Sequence, residues 1–270
     1  MLINGKIKSF VINLEASTER FEYAKEQLDR AGIPFERVPA FDGRTTASTS
    51  FPEYDEAKAL SWFGRKLSGA ELGCYFSHID CVRRFLESDA VYGLSLEDDL
   101  ELMPDAAQSL SSLLDYLEAG RAPGWHMVNL GRPVKRFGSE VARFSTGQQT
   151  RVLCRAHYFP DTTTAILWSR EGAKQFLETA DHIYMPIDHF LRRWNCHADA
   201  GYGFIDPPIT TSGAESDILR ATTGQDTSRA RFYHLRKHRR LQLNKRNAKR
   251  NRKAFQERMP AGFQQRVPGE

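Results

Sequence analysis

Short apolar runs alternate with segments of helical period along the first two hundred residues, and this alternation limits the chain to an α/β architecture. Residues 10–14 (FVINL) predict a buried strand, residues 17–31 a helix that Gly32 stops, and residues 33–40 a second strand. The next twenty-five residues or so are rich in Ser, Thr, Gly and Asp and predict a surface loop. Between residues 68 and 86, Leu72, Tyr75, Phe76, Ile79, Val82 and Phe85 recur at helical spacing behind a Ser68/Glu71 capping box. Residues 91–96 predict a strand running straight into Glu97, Asp98 and Asp99, and Pro104 opens a helix to about Glu118. Residues 125–130 predict a further strand, residues 131–150 a polar loop, residues 151–158 and 162–168 a pair of strands. Helices follow over residues 171–179 and from Pro186. The expected fold is a mostly parallel central sheet flanked by helices, with ligands at the carboxyl ends of its strands.

A chain of 270 residues, 40% apolar and 27% charged, has the composition of an ordinary globular domain with an appendage. The charge is divided. Residues 236–253 hold ten Lys or Arg and no acid, whereas residues 1–235 carry 26 basic against 32 acidic residues. The expected boundaries are one domain over residues 1–230 and a basic tail over residues 231–270, partly helical or disordered. No stretch approaches the roughly 20 apolar residues of a membrane span, and the first apolar run is too short for a signal peptide. The expected location is therefore cytoplasmic, with a peripheral position on the inner face of the membrane if the tail binds there. Cys74, Cys81, Cys154 and Cys196 lack the close pairs of a zinc site and are read as buried small hydrophobes.

The strongest chemical signal is the apolar run that ends in Glu97, Asp98 and Asp99. Adjacent carboxylates raise one another's pKa, so a hard divalent cation bridging them to a diphosphate is one reading. Side chains on an extended segment alternate, so Glu97 and Asp99 can share a face while Asp98 points elsewhere. The other reading is an acidic cluster complementing the dipole of the helix that follows.

Around these acids the chain resembles glycosyltransferase family 25, the lipooligosaccharide-building enzymes related to the collagen galactosyltransferases. Residues 10–14 with Arg20 resemble the family's opening strand, and Ala40-Phe41-Asp42-Gly43 its "A-x-D-G" turn. The block from Leu67 to His78, followed by Glu97-Asp98-Asp99, is similar to "L-S-x-G-E-x-G-C-x-x-S-H … E-D-D", with Gly69-Ala70 where Gly more usually directly precedes the Glu. Thr163 to Ala173, then Pro186-Ile187-Asp188, is similar to "G-T-x-A-Y-x-x-S-x-x-G-A … P-x-D", without the first Gly and with Ile166 for the Tyr. The resemblance runs from about residue 8 to 212.

It implies a GT-A type fold over residues 1–230 and transfer of a hexose, most often galactose, from a UDP-sugar to a lipooligosaccharide or lipopolysaccharide core saccharide, with inversion. Glu97 and Asp99 would hold Mn²⁺ (or Mg²⁺) against the diphosphate, and Asp188 is the candidate general base, or else an ordinary acid at a helix start. Asn13 and Arg20 are candidate nucleotide contacts, since Asn13 ends a strand and a guanidinium pairs well with phosphate. Asp42, Ser77, His78, Asp98 and Thr164 complete the expected donor-binding set. Two readings of other classes stand beside this one. One is a metal-dependent phosphotransfer enzyme, disfavoured because the acid cluster begins with Glu97 and lies far from an early strand. The other is a module acting through its basic tail on an anionic membrane, where each basic residue is worth roughly 1 kcal/mol and would place the enzyme beside a lipid-linked acceptor. Nucleic acid is the less expected partner, because few aromatics interleave the tail's charges.

Overall fold

The computed structural model describes residues 5–147, 149–179, 182–213 and 227–258. Ten strands and seven α-helices follow one another as β1 (Ile7–Asn13), α1 (Thr18–Ala31), β2 (Glu36–Pro39), α2 (Glu56–Lys58), α3 (Gly69–Glu87), β3 (Tyr92–Glu97), β4 (Leu100–Leu102), α4 (Ala106–Glu118), β5 (Met127–Asn129), β6 (Gly138–Thr146), β7 (Gln149–Ala156), β8 (Ala165–Ser169), α5 (Arg170–Glu178), α6 (Ile187–Ala198), β9 (Gly201–Phe204), β10 (Ile209–Thr211) and α7 (Tyr233–Arg258) among the described residues. Eight strands form one sheet in the order β2-β1-β3-β8-β5-β9-β7-β6. The pairings set six of them running one way, with β8 reversed against β3 and β5, and β7 reversed against β9 and β6. The sheet is thus mostly parallel in direction, as the alternating pattern requires.

Each face carries its own apolar layer. One holds Tyr75, Ile79 and Phe85 of α3 with Phe176 of α5 and Leu191 of α6; the other holds Leu28 of α1 and Leu113 of α4 against Leu94 and Leu96 of β3. Helix α3 starts where the sequence places it: Ser68 Oγ accepts from Glu71 N while the Glu71 carboxylate accepts from Ser68 N, which satisfies orphan amides at both ends of the box.

Two expectations fail, and one further sheet has no counterpart in the sequence reading. Residues 131–150 are not loop throughout, because β6 lies within them and turns through Gly147, at φ +66°, into β7. As the sheet's edge strand β6 is polar and half exposed, so it lacks the apolar signature of a central strand. The strands over 151–158 and 162–168 do not pair with each other: β7 joins β6 and β9, while β8, buried over Ala165–Trp168, sits at the sheet's centre between β3 and β5. The short strands β4 and β10 pair in a second sheet that three-residue runs do not announce. In the basic tail, α7 packs along α6 and the π-helical turn Ala59–Phe63, with Arg240, Asn244 and Ala248 buried. Residues 259–270 of the expected tail lie outside the described residues.

Candidate active site

The parallel strands β1 and β3 end side by side, with Ile12 opposite Glu97. The reversed strand β8 begins at the same edge, Leu96 facing Ala165, so Thr162 to Thr164 are delivered next to the acids; Glu97 N donates to the Thr164 carbonyl at 2.9 Å. One edge therefore gathers residues as far apart in the sequence as Ile12 and Thr164.

The three carboxylates diverge as alternation demands. Glu97 Oε1 accepts from Thr163 Oγ1 at 2.7 Å and meets His78 Nε2 at 3.2 Å. Asp98 turns to the opposite side, where its carboxylate accepts from Asn13 Nδ2 at 2.6 Å and from Arg20 Nη2. Asp99 has a buried Oδ1 with no hydrogen-bond partner. Their acidities separate accordingly. Burial alone would raise Glu97, but the bonds from His78 and Thr163 and the charge of Arg20 hold it below the usual carboxylate range. Burial, together with the neighbouring Glu97 charge, pushes Asp99 up to about 6.

Among the described residues, two cavities open on this edge. The first is lined by Arg20, Asp42, Arg44, Glu97, Asp98 and Asp99 among others, and its floor is the loop over residues 40–44 laid on the start of α3. That seating explains the glycines of the α3 block: a Cβ on Gly69 would collide with the Thr46 carbonyl and one on Gly73 with that of Phe41. Phe41 N donates to Ser77 Oγ at 2.9 Å, and Ser77 Oγ donates to the Gly73 carbonyl at 2.8 Å. Asp42 pairs with Arg44 at 2.6 Å, and that hydrogen bond holds its pKa down.

The second cavity is lined by Arg65, Glu71, Asp161, Thr163, Asp188 and His189 together with Cys74 and Glu97, which face both cavities. Asp188 stands in the first turn of α6, where the His189 amide donates to its Oδ1 at 2.7 Å; burial nonetheless raises its pKa. The wall behind it is aromatic and cationic. Phe63 lies 5.4 Å from the His189 ring, with the guanidinium of Arg65 at 4.9 Å and that of Arg240, from α7, at 4.3 Å. Arg65 in turn pairs with Glu71 at 2.5 Å, and Arg240 Nη1 donates to the Phe63 carbonyl at 2.6 Å.

Most residues expected from sequence converge here, though several do so in other roles. His78 is fully buried and lines neither cavity; packed in α3 behind Glu97, it is placed to orient that carboxylate rather than to meet a nucleotide or sugar. Thr164 is buried with its hydroxyl against Thr162 Oγ1 at 2.9 Å, because β8 points the neighbouring Thr163 at Glu97 instead. Ser77 touches the first cavity, but both its hydrogen bonds pin the loop over residues 40–44 to α3. Asn13 is 1% exposed; its amide also donates to the Ser17 carbonyl, and its Oδ1 accepts from Arg37, so it ties the strand end together. Cys74 departs from the reading of four buried thiols, since it is half-buried and faces both cavities, while Cys81, Cys154 and Cys196 are buried. Cys74, Thr163 and Arg65 also line these cavities, although none is among the candidates the sequence offers. The first two stand inside the resembling blocks beside positions that were singled out, whereas nothing in the sequence marks Arg65.

A family model described as "Glycosyltransferase family 25 (LPS biosynthesis protein)" matches residues 6–191. The chain is similar to a "Glycosyltransferase 25 family member" of Aedes aegypti, 27% identical over 187 residues, and to "Procollagen galactosyltransferase 1-A" of Xenopus laevis, 28% identical over 191 residues. Each match covers 67% of this chain and 30% of the relative, so the chain spans under a third of the length of these relatives. A Bos taurus relative at 27% identity is named "Probable inactive glycosyltransferase 25 family member 3". Among solved structures, a glycosyltransferase involved in the glycosylation of the major capsid of PBCV-1 aligns with 81% of this chain and 97% of its own at 10% identity, with a TM-score of 0.41.

Proposed function

The chain belongs to glycosyltransferase family 25, and on that premise we propose that it transfers a hexose, galactose first among them, from a UDP-sugar to a saccharide hydroxyl with inversion. Membership does not by itself give activity, as the name of the Bos taurus relative shows. What carries the reading is Asp99: a carboxylate with a buried, unpartnered oxygen beside the charged Glu97, at the carboxyl end of a central strand and on the wall of a cavity. The galactosyltransferase name of the Xenopus laevis relative supports the sugar, and the family description supports a lipooligosaccharide or lipopolysaccharide core saccharide as acceptor.

A hard divalent cation fits these residues. An unpartnered buried carboxylate oxygen is costly unless a charge meets it, and Glu97 Oε2 carries none of the bonds that hold Oε1. Glu97 and Asp99 would hold Mn²⁺ or Mg²⁺, which when bound supplies positive charge to a departing diphosphate. The chain's own groups perform the rest. Arg20 and Arg44 present guanidinium groups to the first cavity, suited to nucleotide phosphates, with Asp42 orienting Arg44. Asp188, on the far side of Glu97, faces the second cavity, where an acceptor hydroxyl fits. As the acceptor oxygen bonds to the anomeric carbon and the bond from that carbon to the UDP oxygen breaks, the hydroxyl proton passes to the Asp188 carboxylate. Its raised pKa makes it a stronger base than a surface carboxylate.

A second role belongs to α7. Arg236 and Arg240 are turned onto the Leu60 and Phe63 carbonyls, but Lys237, Arg239, Arg246, Lys249, Arg250 and Lys253 are exposed. This charge supports attachment to an anionic membrane from the cytoplasmic side, at roughly 1 kcal/mol per residue close to the surface. Salt-insensitive vesicle binding would remove that reading.

The test of the main reading is calorimetric titration of UDP with and without Mn²⁺, repeated on Asp99→Asn. Metal-dependent UDP binding that weakens by about 100-fold in the variant is the expected result, the scale of one lost charged ligand. Absence of UDP binding in both conditions would remove the UDP-sugar reading.

A further inference from the structure

The junction of the two cavities holds a second, chemically different set of ligand atoms. Cys74 and His78 stand four residues apart on α3, hence on one helix face, and Glu97 meets them from the end of β3. The Cys74 Sγ, the His78 imidazole nitrogen and a Glu97 carboxylate oxygen all lie within 4.8 Å of one another. Cys74 and Glu97 both line the two cavities, so an ion could enter and keep a solvent ligand there.

We propose that Cys74, His78 and Glu97 form a soft-metal site for Zn²⁺, overlapping the Glu97–Asp99 oxygen site through their shared carboxylate. The donor sets separate the two ions. Thiolate, imidazole and one carboxylate with an open fourth position is a tetrahedral zinc set, whereas carboxylates alone suit Mn²⁺ or Mg²⁺. Closing the triangle to zinc bond lengths requires its members to draw together. Zinc displaces the hydrogen bond between His78 Nε2 and Glu97, and the Cys74 thiol gives up one proton to solvent as sulfur binds the ion.

The site also has a built-in limit. A metal-bound histidine ordinarily donates its other ring N–H to an acceptor, but His78 Nδ1 is buried with no partner. That missing second contact weakens affinity by about 10- to 100-fold relative to a structural zinc site, placing the site among reversible inhibitory sites rather than permanent ones. Because Glu97 cannot serve both ions in full, Zn²⁺ opposes the Mn²⁺-supported binding of UDP. This last consequence rests on the glycosyltransferase reading; the metal site itself does not.

The experiment uses the full chain and Zn²⁺ alone as probe, measured by competition with a chromophoric chelator, with Co²⁺ as spectroscopic stand-in. Wild type is expected to bind one Zn²⁺, to release a proton in calorimetry across buffers of different ionisation enthalpy, and to show a thiolate-to-Co²⁺ charge-transfer band. Cys74→Ser should weaken Zn²⁺ by at least about 50-fold and abolish the band, while Asp99→Asn and Cys81→Ser should change Zn²⁺ affinity by less than about threefold. Zn²⁺ affinity unchanged in Cys74→Ser, no charge-transfer band, or several weak equivalent ions on surface groups would each overturn the proposal. Mn²⁺-dependent UDP binding is followed in parallel. If UDP fails to bind while the Zn²⁺ and Co²⁺ results hold, the donor reading falls and the zinc site stands; the reverse pattern removes only the zinc site.

Discussion

Two polar clusters in this molecule carry catalytic-looking chemistry, and only one of them is open. At one edge of the sheet, Glu97 and Asp99 face cavities with an unpartnered oxygen between them. Toward the other edge, Ser139 of β6 meets His157 Nε2 at 3.0 Å, and His157 Nδ1 meets Asp199 Oδ1 at 2.7 Å. The second set has the connectivity of a nucleophilic triad. Yet Ser139 is 1% and His157 0% exposed, Arg155 also holds Asp199, and Phe255 of α7 packs edge-on against the His157 ring at 5.5 Å. Every polar group named there has an internal partner, and Ser139 and His157 are sealed from solvent, so the cluster ties the β6–β7 hairpin to the end of α6. Residue type alone thus does not mark a reaction site. Access and an unmet bonding capacity do.

The largest effects should separate the two clusters cleanly. Glu97→Gln is expected to weaken Mn²⁺-dependent UDP binding by about 100-fold or more while moving folding stability by less than about 1 kcal/mol. His157→Ala should do the reverse: about 3 kcal/mol lost in urea unfolding, because Ser139 is left buried without its partner, Asp199 loses one of its two and a cavity opens under Phe255, and UDP affinity within about twofold of wild type. A loss of UDP binding in His157→Ala would break the distinction between an open site and a structural tie. The same contrast operates inside the acid triplet. Asp98→Asn removes the anion that Arg20 and Asn13 converge on, so its main expected effect is on stability, at about 2 kcal/mol.

Acidity offers a second separation. Asp99 titrates near 6 in the folded chain against 3.8 for the free side chain, so between those values the folded state holds a proton that the unfolded state has lost. Stability from this group is therefore greatest below about pH 4 and falls as pH rises to about 6, by about 3 kcal/mol for a shift of this size. Asp99→Asn should accordingly be more stable than wild type at pH 7 and lose that advantage at pH 4, as read from urea midpoints. Mn²⁺ should narrow the difference at pH 7, because the ion meets the charge that burial disfavours. An equal gap at both pH values would show that Asp99 is solvated like a surface acid.

How much of this was legible before the structure depends on whether a signal is local. The α3 capping box, the strand that ends in Glu97 and the alternation of its three acids follow from spacing alone, and the fold class follows from alternating periods. The residue-level roles were less legible, because they depend on which strand lies beside which. Thr163 rather than Thr164 reaches Glu97 since β8 runs antiparallel beside β3, a pairing that single-strand patterns do not encode. The resembling block marks His78 as a donor contact, whereas the packing of α3 buries it behind Glu97. The edge strand β6 reads as loop in the sequence for the same reason: its polarity reflects a position in the sheet that no window of sequence reports.

A smaller effect should come from the hydroxyl behind the acid. Thr163→Val keeps the shape of β8's entry but removes the donor to Glu97, so Glu97 should bind a proton more readily. UDP affinity in the presence of Mn²⁺ should fall by about tenfold, the worth of one hydrogen bond to a charged group, with the loss greatest at low pH. An effect of the same size at every pH would point to altered packing instead.

The smallest expected effects lie along α7, where two kinds of basic residue share one helix. Arg240 is 4% exposed, donates to the Phe63 carbonyl and covers the ring that backs His189. Arg240→Lys keeps the charge but not the flat stacking surface or the forked donor, and should cost about 1 kcal/mol of stability. Lys249, exposed and next in sequence to the buried Ala248, should tolerate Lys249→Gln within about 0.5 kcal/mol. Paired measurement of thermal unfolding on these two variants tests whether α7 braces the second cavity from behind, through Phe63 and His189. Equal effects at both positions would mean that α7 is held by its overall charge rather than by the contacts of its buried face, and Phe63 would then lose its assigned support.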